Sequence, residues 1–352
     1  MNVEPMTPQN SDAARWATLL SDCERTGGLG VKHVSAPNQI SWRVRLAKSV
    51  RSAPVLGGDL LYVTCLDGFL HAIDTRTGRH AWKFDAGNEI HSTPSLAGNK
   101  VLFGCDSGSV YALDRSSGGK IWEFATRAEV WPSPVVQNGK VFFGSADGSF
   151  YAVDFESGKR EWVRSLDARI YSTAFASAGR LYFGCSDNHV YCLEGSSGKV
   201  LWSTPTGNVI DSSPAVEGDT VVVGSEDFAV YAFDASSGAV RWKFETGLGI
   251  SSSPAISGGA VFIGSKDNFF YALELNTGSL RWKTDLKTSV TASPVVAEGV
   301  VCIQAGGLVA LDIATGKVAW RAALGGSLQS VPVLTGRYIY LSGIQGTVYA
   351  LE

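Results

Sequence analysis

Between residues 212 and 247 short apolar runs, "AVYAFD", "TVVVGS" and "VRWKFE", alternate with the polar stretches "EGD", "EDF" and "ASSG". Inside each run the period is two, and the residues are Val, Tyr, Phe and Trp. That combination predicts half-buried strands joined by tight turns, not helices. With "SSPAV" ahead of them the runs make four strands in forty residues. The next forty, "LGISSSPAISGGAVFIGSKDNFFYALELNTGSLRWKTDLK", repeat the pattern.

The repeat can be counted along the chain. Trp42, Trp82, Trp122, Trp162, Trp202, Trp242 and Trp282 stand 40 apart, and Trp320 follows after 38. Pro54, Pro94, Pro134, Ala174, Pro214, Pro254, Pro294 and Pro332 keep step with them. A fixed period of this length means units that bury their apolar faces only against neighbours. Four strands per unit are the proportions of a propeller blade. The predicted fold is therefore all-β: an eight-bladed propeller of four-stranded antiparallel blades. The regular part opens with a lone Trp-bearing strand, "QISWRVRL", and the last unit stops after its third, "GTVYALE". Pairing these two segments completes the last blade and leaves no open sheet edge. The unit containing "IQAGGLVALD" lacks two residues relative to its neighbours, which predicts a tight hairpin there. Residues 40–352 form the propeller in this division, and residues 1–39 form an extension. Ser11 or Asp12 is placed to cap a short helix through "DAARWATLLSDCERTG".

Composition narrows the partners. Gly is 40 of 352 residues with no collagen period, in keeping with many turns. A formal charge of −3 with mixed acids and bases offers no basic face, so nucleic acid is not an expected partner. No apolar stretch is long enough for a membrane helix and no secretory or lipoprotein signal is visible, so the expectation is a cytoplasmic protein without membrane insertion. Cys65, Cys105 and Cys185 share one repeat position with Ser145, Ser225 and Ser265, which makes them small core residues in preference to metal ligands. The acids of the recurring Asp-x-x-Thr/Ser-Gly turn, such as Asp74, Asp114 and Asp234, are turn formers, not catalysts.

The unit "YAFDASSGAVRWKF", with its variants "YALDRSSGGKIWEF" and "VALDIATGKVAWRA", resembles the tryptophan-docking repeat of quinoprotein-type, PQQ-like propellers over residues 42–352. The resemblance implies that each Trp packs on the neighbouring blade. A WD-type propeller would call for Trp-Asp dipeptides, and none occurs. Quinoprotein dehydrogenases of the family use adjacent cysteines over the quinone and a Glu, Asn and Asp around calcium. This sequence has no Cys-Cys pair and is much shorter, so neither cofactor nor metal is carried over. In size and blade number the chain is similar to BamB-like propellers, scaffolds of outer-membrane assembly.

Candidate chemistry appears where the repeat varies. Three residues before each Pro or its equivalent stand Arg51, His91, Trp131, Tyr171, Asp211, Ser251, Thr291 and Gln329; one position earlier stand Val50, Ile90, Val130, Ile170, Ile210, Ile250, Val290 and Leu328. Alternation puts the apolar column in the core and the varied one toward open space. A second varied column, including Ser49, Glu89, Glu129 and Arg169, lies on the same side. Both converge on one mouth of the central channel, with Ala53, Thr93, Ser133, Thr173, Ser213 and Ser253 as a small-residue wall behind them. Large and charged members crowd into consecutive blades, giving one chemically equipped arc.

On that arc His91 between Glu89 and Glu129 is placed as acid or base, Arg169 and Arg51 as anion holders, Trp131 as a flat surface, and Tyr171 as a proton donor. Asp211 and, in a hairpin column of turn-forming Asp residues, His189 complete the candidates; His71 and His80 read as isolated. No nucleophile elbow, phosphate loop, dinucleotide fingerprint or metal-ligand spacing is present. The leading expectation is a site for a small aromatic or anionic molecule, open to cofactor-independent acid-base chemistry such as cyclisation, elimination or hydrolysis. The alternative is a non-catalytic, BamB-like scaffold for a protein partner, and a PQQ-dependent dehydrogenase comes third.

Overall fold

The computed structural model describes residues 34–322, 330–343 and 345–352. The expected N-terminal helix and the column members Ser327, Leu328 and Gln329 lie outside them. Eight four-stranded antiparallel sheets follow one another around a ring. Blades 1 to 7 occupy residues 55–85, 95–125, 135–165, 175–205, 215–245, 255–285 and 295–322. Blade 8 takes three strands from residues 333–351 and its fourth from Ile40–Arg45, which pairs antiparallel with Thr347–Leu351. Asn38 N donates to Glu352 O at 2.8 Å and Glu352 N to Gln39 O at 3.0 Å, so the ring closes as the strand count requires. The shortened blade 7 turns between Gln304 and Leu308, where Ala305 N donates to Gly307 O at 2.8 Å. No helix among the described residues is long and apolar enough to cross a membrane.

The three-residue first strands of neighbouring blades touch one another, which puts them at the axis. Each apolar cluster spans two blades: Phe175 and Tyr182 of blade 4, for instance, pack with Val216, Val221 and Phe233 of blade 5. The closing seam is built the same way, with Leu46, Val50 and Leu61 against Val333, Tyr340 and Val348. A single blade exposes both faces, so burial of this kind is available only in the ring.

At the outer end of each seam a tryptophan docks. Trp122, Trp162, Trp202 and Trp242 donate Nε1–H to the carbonyls of Phe155, Gly195, Ala235 and Leu275 at 2.7 to 3.1 Å. The ring also lies over the glycine of the next blade's turn. At Gly158, φ is +68° and an added Cβ would meet Trp122 at 2.7 Å, so the position demands glycine twice over. The turn acid does what its spacing predicts: Asp114 Oδ1 accepts from the Ser116 and Ser117 hydroxyls and from both of their backbone N–H groups, and these hydrogen bonds hold its pKa at about 2. Trp82 and Trp320 leave their buried Nε1 without a partner. The carbonyl that would serve Trp82, Arg115 O, accepts from Tyr62 Oη instead at 2.8 Å. Trp320 faces blade 8, whose third and fourth strands come from opposite ends of the chain and share no such turn.

Candidate functional site

In the segment ahead of each blade burial alternates, so its residues point by turns to the core and to the mouth. Val50, Ile90, Val130, Ile170, Ile210, Ile250 and Val290 are fully buried, as the apolar column requires. The regular spacing of small residues has a more specific cause than the width of a channel. Ser133 N donates to Thr173 Oγ1, Thr173 N to Ser213 Oγ and Ser213 N to Ser253 Oγ, all at 2.9 to 3.0 Å. A second belt runs beside it, with Ser92 Oγ on Pro132 O and Ser172 Oγ on Ser212 O. These belts satisfy the buried backbone of the innermost strands and fix the rim on which the varied side chains stand.

On that rim the aromatic members stack on each other. The His91 and Trp131 rings lie 4.6 Å apart at 26°, and Trp131 and Tyr171 lie 4.7 Å apart at 30°. Three blades thus contribute one ladder. Trp131 Nε1 donates to Asp106 Oδ1 at 3.0 Å, and Arg169 Nη1 donates to the Tyr171 hydroxyl at 3.3 Å. His91 Nε2 stands 3.6 Å from Asp106 Oδ2 and 3.9 Å from Glu89 Oε2, while Glu89 pairs at 3.1 Å with Lys48. Burial lowers the His91 pKa and Arg51 assists, against Asp106 and Glu89; burial raises the Asp106 pKa with Glu89 and Glu129, against His91 and Trp131. Both groups are pushed toward their neutral forms.

The structure therefore brings Glu89, His91, Trp131, Arg169 and Tyr171 together, with Arg51 and Glu129 acting on the cluster through their charge. Asp211 belongs to a second group. Burial in the mouth and then the Glu226 carboxylate raise its pKa, and Lys266, which pairs with Glu226 at 2.6 Å, opposes them. The His189 ring meets Asp187 O at 3.0 Å and packs against Tyr191, both of its own hairpin. The hairpin acids are turn residues: Asp147, Asp187, Asp227 and Asp267 accept a backbone N–H through Oδ1 and a tyrosine hydroxyl at 2.6 Å through Oδ2.

Two features escaped the sequence reading. Asp106 belongs to a varied column, Leu66, Asp106, Ala146, Ser186, Glu226, Lys266, one position before the hairpin acids. Backbone bonds tie it to the rim: Asp106 N donates to Glu89 O, Ala146 N to Glu129 O and Ser186 N to Arg169 O. Its blade-to-blade variation was the available signal. His71 and His80 are not isolated, because their Nδ1 and Nε2 meet at 3.0 Å. Folding also assembles two groups of potential metal-ligand atoms that linear spacing does not show, Glu89 with His91 and Asp106, and Cys65 with Asp67 and His71. Cys65, Cys105 and Cys185 are buried as expected, and burial pushes the Cys65 thiol up to about 12.

The sequence matches the family of outer membrane protein assembly factor BamB over residues 70–172 and 164–352. The chain belongs to that family of PQQ-like propellers. Among solved structures it is similar to BamB from Moraxella catarrhalis, at 19% identity and a TM-score of 0.78, over 89% of this chain and 99% of that one. The computationally designed Ika8 protein gives 17% identity and a TM-score of 0.78 over the same shares. Quinohemoprotein alcohol dehydrogenase from Comamonas testosteroni gives 15% and 0.76, over 89% of this chain and 76% of the enzyme. At such identities these structures speak for the fold alone. No curated protein sequence matches.

Proposed function

We propose that the protein is a non-catalytic interaction scaffold whose mouth face takes a segment of a partner protein, with Trp131 as the anchor. The observation that carries this reading is the state of Trp131: 37% exposed, yet held between two rings and a carboxylate. An exposed aromatic fixed before binding loses little entropy when a partner covers it. Trp, Tyr and Arg are also the residue types that dominate interface energetics. Phe228 and Leu248 lie exposed on the same face, joined through Thr246, and add apolar surface farther round the ring. Some charged side chains of the rim are paired with each other, as Lys48 with Glu89 and Lys266 with Glu226. Membership of the BamB family agrees with a scaffold role.

A photo-crosslinking amino acid placed at 131 or 171 in the native host tests the proposal, with position 201 on an outer strand as control. The mouth positions are expected to yield one discrete protein adduct, and the adduct from 171 to disappear on Trp131→Ala. Adducts from position 201 alone would overturn it.

One observation favours a second reading, a small aromatic or anionic molecule bound beside an acid-base pair. His91 and Asp106 are 3.6 Å apart and shifted in opposite directions toward neutrality, as groups in proton-transfer sites are. That reading predicts a small molecule retained in native mass spectrometry and lost on His91→Ala. A ligand-free spectrum together with a protein adduct at 171 would dispose of it.

A further inference from the structure

The repeat provides its own controls, and one seam departs from all the others. Where the strand leading into blade 1 carries Arg45, the equivalent positions are Asp85, Ala125, Ser165, Pro205, Glu245 and Asp285. Where the following loop carries Lys48, they are Asn88, Ala128, Ala168, Asn208, Leu248 and Thr288. His71 replaces the tyrosine of blades 2 to 6, and His80 takes a position that varies along the repeat through Lys120, Arg160, Val200, Val240 and Leu280. The three departures and His80 come from separate elements, and all four residues line one cleft.

The cleft has a volume of about 670 Å³ and is walled by Phe69, Trp82 and Leu46 besides the charged residues. Its size is that of a small-molecule site. At its inner end Asp67 and His71, 8% and 7% exposed, meet at 3.2 Å through His71 Nε2. Burial works against the Asp67 carboxylate, but hydrogen bonds from His71 and the Phe69 backbone outweigh it and hold the pKa at about 2. His71 Nε2 lies 3.2 Å from Asp67 Oδ2, and its Nδ1 lies 3.0 Å from His80 Nε2. The chain of three fixes the orientation of the exposed His80 ring. Around the opening stand Arg45, which pairs with no carboxylate among the described residues, Lys48, shared with Glu89, and Lys83, whose ammonium lies 4.5 Å over the Phe69 ring. In blades 3 to 6 the hairpin acid is satisfied by a tyrosine hydroxyl, and this seam has exchanged that closed arrangement for an open cleft with a cationic rim.

We propose that this seam between the closing strand and blade 1 is a binding site for a small organic oxyanion, a carboxylate or phosphate carried on a flat apolar body. Arg45, Lys48 and Lys83 meet the charged end, and Phe69, Trp82 and Leu46 receive the apolar one. The cleft touches the Trp131 cluster through the Lys48–Glu89 pair, but its deciding variants at His71 and Arg45 lie outside that cluster and test the site apart from the scaffold proposal.

Calorimetric titration of the full chain with benzoate, phenyl phosphate, inorganic phosphate and neutral benzyl alcohol tests it. Benzoate or phenyl phosphate is expected to bind about tenfold or more tightly than either benzyl alcohol or inorganic phosphate. A preference between the first two identifies the oxyanion, and either preference supports the site. The deciding variants use the protein's own repeat: His71→Tyr restores the arrangement of blades 3 to 6 and fills the cleft, and Arg45→Ser copies blade 3. Each is expected to keep the melting temperature and to weaken binding about tenfold or more. Equal binding of benzyl alcohol and benzoate, or unchanged affinity in a normally folded His71→Tyr, would overturn the proposal.

Discussion

At the outer turns blade after blade sets the same tryptophan over the same glycine, while at the mouth the corresponding positions run Arg51, His91, Trp131, Tyr171 and Asp211 without repeating once. The same forty residues write both regions. The turns are seams, where Gly158 must accept Trp122 and Ala235 O must accept Trp202 Nε1, and a change at one would open two blades at once. The mouth residues stand on a belt of hydroxyls that already satisfies the backbone beneath them. Uniformity marks where the ring is held together, and variation marks where it is free to acquire a role.

That contrast can be broken by experiment. The largest effect is expected for Trp202→Ala, which removes a buried ring and its hydrogen bond. It should cost about 3 to 5 kcal/mol in denaturant unfolding. Gly158→Ala comes next, at about 2 to 3 kcal/mol, since the added methyl meets both a left-handed backbone and the Trp122 ring. Trp131→Ala, which removes an aromatic of equal size from the mouth, should cost about 1 kcal/mol or less, the value of its ring contacts. A loss as large as that of Trp202→Ala would make the ladder a structural seam and erase the distinction.

The smallest effect has its own sign. Burial and Glu226 raise the Asp211 pKa, so the folded chain binds its proton to higher pH than the unfolded chain does. The native carboxylate therefore costs stability that grows as pH rises from the unfolded value through the folded one. Asp211→Asn should stabilise at neutral pH by about 0.5 kcal/mol or less, given screening at the rim. Thermal melts should show the gain vanishing below about pH 4.

The sequence disclosed the ring because its signal is periodic: the tryptophans and prolines count eight blades, and "QISWRVRL" without a partner points to the closure by Ile40–Arg45. The equipped arc was legible for the same reason, since one column holds His91, Trp131 and Tyr171. Asp106 was not, because its tie to Glu89 joins a hairpin to a loop 17 residues earlier and appears only once the two columns are laid side by side. Nor was the meeting of His71 with His80, which depends on the bulge between Ala72 and Ile73 that shifts their pairing. The small residues were seen, but their purpose as donors and acceptors between blades is a property of folded neighbours.

The closing strand also decides how the ring answers force. Ile40 faces Leu351 and Arg45 faces Thr347, so residues 38 and 352 leave the sheet at the same end of the pair. A pull applied between them loads the bridging hydrogen bonds one after another, as a zipper is opened, instead of shearing them all together. A ring whose seams cooperate against heat is, along this one line, built to yield to tension.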